Sequence, residues 1–265
     1  MRTLAKHIPN ALTCCNLICG CTATMAAFNG AYPMAATFIF IAVGFDFLDG
    51  LAARLLHAAS PIGKDLDSLA DIISFGLAPS AMLFRTFVNL SIITQAVLEE
   101  SYPWILRIFS LVATLAIPVC SALRLAKFNN DPRQTTTFIG LPVPAHAIFW
   151  VSLLFSLTSM EGVNNVHAPY SFANTPLLWV ATFSFLALVS SLLLVSEIPM
   201  FSLKVKSLAW KGNELRYLLL ISGVILTIVL PKLLGISATI LLYILLSVFG
   251  QHHAEAPQPA EDSHE

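Results

Sequence analysis

An all-α polytopic transmembrane helix bundle is the fold that this sequence predicts, and three observations predict it. Of its 265 residues 57% are hydrophobic and 11% are charged, with a mean hydropathy of +0.78. A soluble domain carries about a quarter charged residues, so this chain lacks the polar surface to cover itself in water. Its apolar residues fall into eight long stretches separated by short polar or Pro/Gly punctuation. Each is near the roughly 20 residues a helix needs to cross a bilayer, and too evenly apolar for the alternation of a membrane β-barrel. Finally, Lys and Arg collect at every second junction between the stretches.

The first stretch, 9–29, follows a short basic lead containing Arg2 and Lys6. No small-residue cleavage site follows and the next span begins at once, so it reads as a retained helix and not a signal peptide. The second (33–57) and third (66–92) carry the acidic residues discussed below. The fourth covers 102–127. The fifth covers 141–160, with Pro142 and Pro144 setting its entry. Spans at 175–197, 214–232 and 234–250 complete the set; the break at Pro231-Lys232 is slight, which leaves seven spans as the alternative to eight. Residues 1–250 thus form one membrane-embedded domain. The polar, Pro-interrupted segment 251–265 is expected to be a disordered cytoplasmic tail.

Arg54 and Lys64 follow the second span; Arg124, Lys127 and Arg133 follow the fourth; Lys204, Lys206, Lys211 and Arg216 follow the sixth. The loop near Gly30 and the stretch 161–175 have neither Lys nor Arg, and the loop near Glu99 and Glu100 is acidic. By the positive-inside rule the N-terminus is cytoplasmic, and with eight spans so is the C-terminus. The junction between the second and third spans then lies at the cytoplasmic face.

A net charge of −1 without a basic run argues against a nucleic-acid partner. Cys14, Cys15, Cys19 and Cys21 sit inside an apolar helix, without the paired short-loop spacing of a zinc site, and Cys120 is alone. They read as small packing residues.

Asp46, Asp49, Asp65, Asp67 and Asp71 concentrate in the second and third spans and their connection. An ionised side chain at the centre of a membrane helix costs about 2.5–3.5 kcal/mol on the insertion scale, so such residues need partners or ligands. Asp46 and Asp49 are spaced i,i+3, Asp67 and Asp71 i,i+4, so each pair shares a helix face. A turn near Pro61–Gly63 brings the faces together. Four converging carboxylates repel one another unless divalent cations neutralise them, and hard oxygen ligands suit Mg²⁺, Mn²⁺ or Ca²⁺ rather than zinc. Gly50, Ala53 and Gly63 leave room for phosphates, and Arg54 can donate charge-assisted hydrogen bonds to them. Asp65 lies outside this spacing and is expected at the helix start.

The fixed positions read Asp46-x2-Asp49-Gly50-x2-Ala53-Arg54-x8-Gly63-x3-Asp67-x3-Asp71. This resembles, position for position, the signature of the CDP-alcohol phosphatidyltransferase family. The resemblance implies that the four aspartates bind one or two divalent metals, Mg²⁺ or Mn²⁺, with Asp71 as general base. It implies that Gly50, Ala53, Arg54 and Gly63 line the site for the CDP moiety. It further implies a six-helix transmembrane core, here with two added C-terminal helices, a homodimer, and a site open to the cytoplasm of a bacterial-type cytoplasmic membrane. Pro9-Asn10-x2-Thr13-x2-Asn16 is similar to the family's first-helix pattern, which gives Thr13 and Asn16 to the nucleotide; helix-capping or interhelical hydrogen bonds are their competing roles.

Gly63 to Asp71, Ser74 to Pro79, Leu123 to Asn129 and Phe138 to Pro144 resemble the serine-using branch of that family. The implied reaction takes the phosphatidyl group of CDP-diacylglycerol, a membrane lipid, to the hydroxyl of L-serine. Serine brings a carboxylate, which calls for a cation, and Arg124 with Lys127 and Phe128 supplies the expected serine site. Members commonly have a second Arg where Lys127 stands; Lys lacks the bidentate fork, so Arg124 is the better candidate. His146 reads as a packing residue before an acid or base. Two rivals stay open: another acceptor, such as glycerol 3-phosphate or inositol phosphate, and a cation transporter that uses the aspartates as its path.

Overall fold

The computed structural model describes residues 7–98, 103–130, 138–160, 175–200 and 213–250. They form α1 (Ile8–Phe28), α2 (Tyr32–Leu55), α3 (Pro61–Asp71), a π-helical segment (Ile72–Leu77), α4 (Ala78–Leu98) and α5 (Trp104–Asn130). After these come α6 (Val143–Met160), α7 (Pro176–Val195), α8 (Glu214–Val229) and α9 (Leu234–Gly250). Two short strands, β1 (Phe138–Ile139) and β2 (Pro199–Met200), pair antiparallel with Phe138 opposite Met200. The all-α bundle is as expected. Because α3, the π segment and α4 are continuous, the described residues make eight helical rods. Five are long and apolar enough to cross a bilayer: α1, α2, the Pro61–Gln95 rod, α5 and α7; the apolar parts of α6 and α9, Val143–Ser159 and Leu234–Val248, are shorter. The protein is a multi-pass membrane protein. The segment 251–265, expected as a tail, lies outside the described residues.

The third rod departs most from the expected limits. It starts at Pro61 rather than 66, because the Ser60 hydroxyl accepts the Gly63 N–H at 3.1 Å and Pro61 occupies the first helical position. Its opening turns are polar, so a search for apolar runs misses them. Asp65 is therefore not a helix-start residue; it is exposed on the second turn of α3. At 1.5 Å per residue, the 35 residues of this rod extend roughly 50 Å. That exceeds the roughly 30 Å hydrocarbon layer, so a rod of this length carries acidic turns outside the apolar zone.

Immediately after Asp71 the rod widens into its π segment, a form concentrated at functional sites. Two close crossings pin it. A Cβ on Gly20 of α1 would stand 2.7 Å from the Ser74 Cα, and the Ser74 hydroxyl donates to the Asn16 carbonyl at 3.0 Å. On the other side Gly76 faces Ser121 and Pro118 of α5. Pro118 has no N–H for the Thr114 carbonyl; the Ser80 hydroxyl donates to that carbonyl at 2.8 Å instead.

α1 and α2 form a hairpin whose buried face is made of Ala23, Ala26 and Ala27 against Ala35, Ala36 and Ala42. Small residues let membrane helices approach closely. α6 and α7 meet through aromatic edges, Trp150 to Phe183 at 6.5 Å. The chain entering α6 is clasped to the end of α7: the Gly140 N–H donates to Ile198 and the Leu141 N–H to Leu193, at 2.9 and 3.1 Å. Gly140 has φ +73°, and a Cβ there would meet the Leu194 carbonyl at 2.7 Å. Only glycine fits that clasp without strain.

Candidate functional site

α2 presents Asp46 and Asp49 one turn apart, and α3 presents Asp67 and Asp71 likewise. The two faces meet as the spacing requires. Carboxylate oxygens of Asp46, Asp49 and Asp67 all lie within 4.8 Å of one another. Like charges about 4 Å apart repel by about 4 kcal/mol at an effective dielectric constant of 20, and Asp67 Oδ1 is buried without a hydrogen-bond partner. The cations nearby in sequence are engaged elsewhere: Arg54 Nε donates to the Gly50 carbonyl at 3.0 Å, and Lys64 Nζ to the Asn129 carbonyl at 2.7 Å. Three hard oxygen donors, one with an unpaired buried oxygen, fit a divalent cation of the Mg²⁺ or Mn²⁺ kind.

Asp71 stands apart from that trio. It is buried, and Asn16 Nδ2 donates to its Oδ1 at 3.2 Å. Thr13 plays the corresponding part for Asp49, its hydroxyl 2.6 Å from Oδ2. Both side chains make interhelical hydrogen bonds, one of the roles left open for them. α1 thereby holds one carboxylate from each of the two acidic helices. The glycines of the motif also separate. A Cβ on Gly50 would meet nothing within 4 Å, whereas one on Gly63 would come within 3.0 Å of Asn10 Oδ1 and Ser60 Oγ. Gly50 borders open space; Gly63 sits where α1 and α3 cross, and a larger residue there would press on the Asn10 and Ser60 side chains. Ala53 is half-buried and Arg54 is exposed at the end of α2.

Arg124 and Phe128 lie together, while Lys127 is bonded elsewhere. Arg124 is only 7% exposed, its Nε has no hydrogen-bond partner, and its guanidinium lies 5.8 Å from the Phe128 ring centroid. It is within electrostatic reach of Asp71. Lys127 is exposed and donates to the Val195 carbonyl at 3.4 Å, where a cation also suits the C-terminal end of α7. α5 is tied to α3 by Asn129, whose amide donates to Ser68 Oγ at 2.8 Å. That link joins two segments flagged by sequence, but nothing in their spacing announced the contact.

His146 is fully buried, with its Nε2 3.0 Å from the Ser190 hydroxyl and 3.2 Å from the Trp150 indole nitrogen, which donates to it. It packs α6 against α7, as expected.

A family model described as CDP-alcohol phosphatidyltransferase matches residues 6–229. Among curated proteins, the chain is 35% identical over 151 residues to the CDP-diacylglycerol–serine O-phosphatidyltransferase of Bacillus subtilis (strain 168), covering 57% of this chain and 77% of that protein. It is 32% identical over 202 residues to the protein of that name from Mycobacterium leprae (strain TN), covering 73% of this chain and 57% of the relative. The archaetidylserine synthase of Methanothermobacter thermautotrophicus is 30% identical over 146 residues, 53% of this chain and 54% of its own length. The chain thus spans only a little over half of the latter two relatives.

Proposed function

The chain belongs to the CDP-alcohol phosphatidyltransferase family, and from that premise we propose that it transfers the phosphatidyl group of CDP-diacylglycerol to L-serine, giving phosphatidylserine and CMP. One observation carries the reading: a trio of carboxylates within 4.8 Å, flanked by the separate, buried Asp71. Serine enters from the relatives, two of which are named for transfer to serine, and from the buried cation of Arg124.

Asp46, Asp49 and Asp67, with Asp71 at their edge, would hold the divalent cation, Mg²⁺ or Mn²⁺. When bound, it supplies Lewis-acid polarisation of the phosphoryl oxygens and charge stabilisation of the departing nucleotide. The chain's own residues do the rest. Thr13 and Asn16 fix the carboxylates of Asp49 and Asp71 by hydrogen bonds, so the site is preorganised. The open space beside Gly50 admits the diphosphate to the α2 backbone, with Arg54 at the same helix end for the CDP moiety. Arg124 takes the serine carboxylate, which turns the hydroxyl towards Asp71. Asp71 accepts the hydroxyl proton as the serine oxygen bonds to the β-phosphorus. The bond from that phosphorus to the bridging oxygen breaks, and CMP leaves with the electron pair. Sequence charge asymmetry supports a site facing the cytoplasm, with both termini on that side. A homodimer is part of the same reading, by resemblance to the family.

Acceptors that carry a phosphate, such as glycerol 3-phosphate or inositol phosphate, call for a larger basic pocket, and Lys127 is occupied with Val195. The test is CMP release from CDP-diacylglycerol by the purified protein in lipid, with serine, glycerol 3-phosphate or inositol phosphate offered separately. Serine-dependent release that needs Mg²⁺ or Mn²⁺ and stops on chelation is expected. Release driven by a phosphate-bearing acceptor instead would overturn the choice of acceptor; release indifferent to chelation would overturn the role of the trio.

A further inference from the structure

A second arginine lacks a partner at the end of the bundle away from the aspartates. α1 meets the acidic helices through Thr13 and Asn16 and runs on to Phe28, after which Asn29 to Ala31 lead into α2. With 21 residues at about 1.5 Å each, α1 is roughly 30 Å long, close to the thickness of the hydrocarbon layer. One end of it lies beside the acidic site, so its turn into α2 reaches the opposite headgroup layer. Arg85 of α4 lies against that turn: a Cβ on Gly30 would stand 3.3 Å from its Nε and 3.7 Å from its Nη2.

The groups around this guanidinium are committed to one another. Arg85 is half-buried and its Nε is sealed without a hydrogen-bond partner. The end of α1 is closed by its own turn: the N–H groups of Asn29, Gly30 and Ala31 donate to the carbonyls of Met25, Ala27 and Ala26. The hydroxyls next to the turn and to Arg85 are spent too, Tyr32 on Thr86 at 3.0 Å and Thr86 on the Met82 carbonyl at 2.9 Å. No carboxylate among the described residues pairs with Arg85; the aspartates lie towards the other end of the hairpin. A buried charged donor left unpaired is costly, and an anion brought by a ligand recovers that cost. Beside the cation, Phe28 and Phe84 meet edge to face at 6.1 Å, and both stay exposed. Phe84 adjoins Arg85 and Phe28 ends α1, so an apolar surface borders the unpaired charge.

We propose that Arg85 holds the phosphate of a phospholipid in the leaflet opposite the aspartates, with an acyl chain laid along Phe28 and Phe84. A guanidinium offers a phosphate paired, charge-assisted hydrogen bonds, and the two rings favour an anion that carries a hydrocarbon chain over a free one. The lipid is a structural ligand that braces the α1–α2 turn against α4. Roughly 20 Å of helix separates it from Asn16, so the site is distinct from the acidic one and independent of the acceptor.

The experiment follows lipid binding to the full chain by native mass spectrometry, in a non-ionic detergent free of phosphate. A chelator is present, so that no divalent cation draws lipid to the aspartates. Phosphatidylglycerol should occupy a site whose Kd rises about tenfold in Arg85→Gln, the scale of a lost hydrogen bond to a charged group. Arg85→Lys, which keeps the charge but not the fork, should fall between the two. Arg124→Gln should leave this Kd unchanged. Diacylglycerol, with the same chains and no phosphate, should bind the unaltered protein no better than it binds Arg85→Gln. Inorganic phosphate at the lipid's concentration should not displace the lipid. An affinity equal to that of the unaltered protein in either Arg85 variant would overturn the proposal, as would a loss of binding in Arg124→Gln. Displacement by inorganic phosphate would make the ligand a free anion and overturn the lipid assignment.

Discussion

Around α1, α2, α3 and α5 the bundle crowds charge: three carboxylates within 4.8 Å, a buried Asp67 oxygen without a partner, and a buried guanidinium whose Nε is also unpaired. Across α6, α7 and α9 the polar groups are just as buried but pair with one another, Ser152 with Ser237 and His146 with Ser190 and Trp150. Among the described residues there, one imidazole nitrogen and the hydroxyls of Ser184 and Ser191 are buried without a partner. An unpaired hydroxyl costs about 1–3 kcal/mol and a charged group more. A membrane protein can carry the former as an incidental expense of packing. It keeps the latter for a ligand to complete. The contrast therefore separates the region built to bind from the region built to hold helices together.

The sharpest way to test that division is to remove charge from the acidic side. Asp71→Asn should reduce serine-dependent CMP release by about 10²–10⁴-fold, the range for a lost catalytic proton transfer, and Asp67→Asn should reduce it by removing a ligand of the divalent cation. Both proteins should still insert into membranes, since each change removes repulsion. Substantial retained turnover in Asp71→Asn would take the base role away from it. The next largest effect is expected on the acceptor side. Arg124→Ala should raise the serine KM by tenfold or more, as expected for a charge-assisted bond at about twice the strength of a neutral one, with the KM for CDP-diacylglycerol little changed. Equal damage to both constants would mean that Arg124 supports the bundle and not the acceptor.

The smallest effect probes the other region. Ser152→Ala removes a single interhelical hydrogen bond to α9 and should lower stability to unfolding in detergent by about 0.6 kcal/mol, the average for such bonds in a membrane protein. Activity at temperatures where the protein stays folded should be unaltered. If CMP release fell while stability held, the division between the two regions would break, because α9 would then be coupled to catalysis through its seat on α6.

Much of this was legible in the residues themselves. The helical class and the number of rods follow from apolar stretches that only lipid and helical backbone bonding can accommodate. Asp46, Asp49 and Asp67 converge because i,i+3 and i,i+4 spacing places each pair on one face, and a connection as short as 56–60 leaves the two helices adjacent. The start of α3 was not legible in apolar content, since a Ser60 cap and polar first turns set it. Nor was the splitting of Arg124 from Lys127: three positions along a helix turn one side chain inwards and leave the other at the surface, and which is which depends on the neighbours.

By itself, then, the sequence determined the membrane-helical class, the acidic motif and its pairing across two helices, because these depend on composition and on the fixed period of a helix. Tertiary structure alone decided that Thr13 and Asn16 serve the carboxylates, that Gly63 sits at a crossing and Gly50 at an opening, and that Arg124 is buried while Lys127 is exposed. Such contacts join residues far apart in the chain, and they arise from how whole helices pack, which no local spacing encodes.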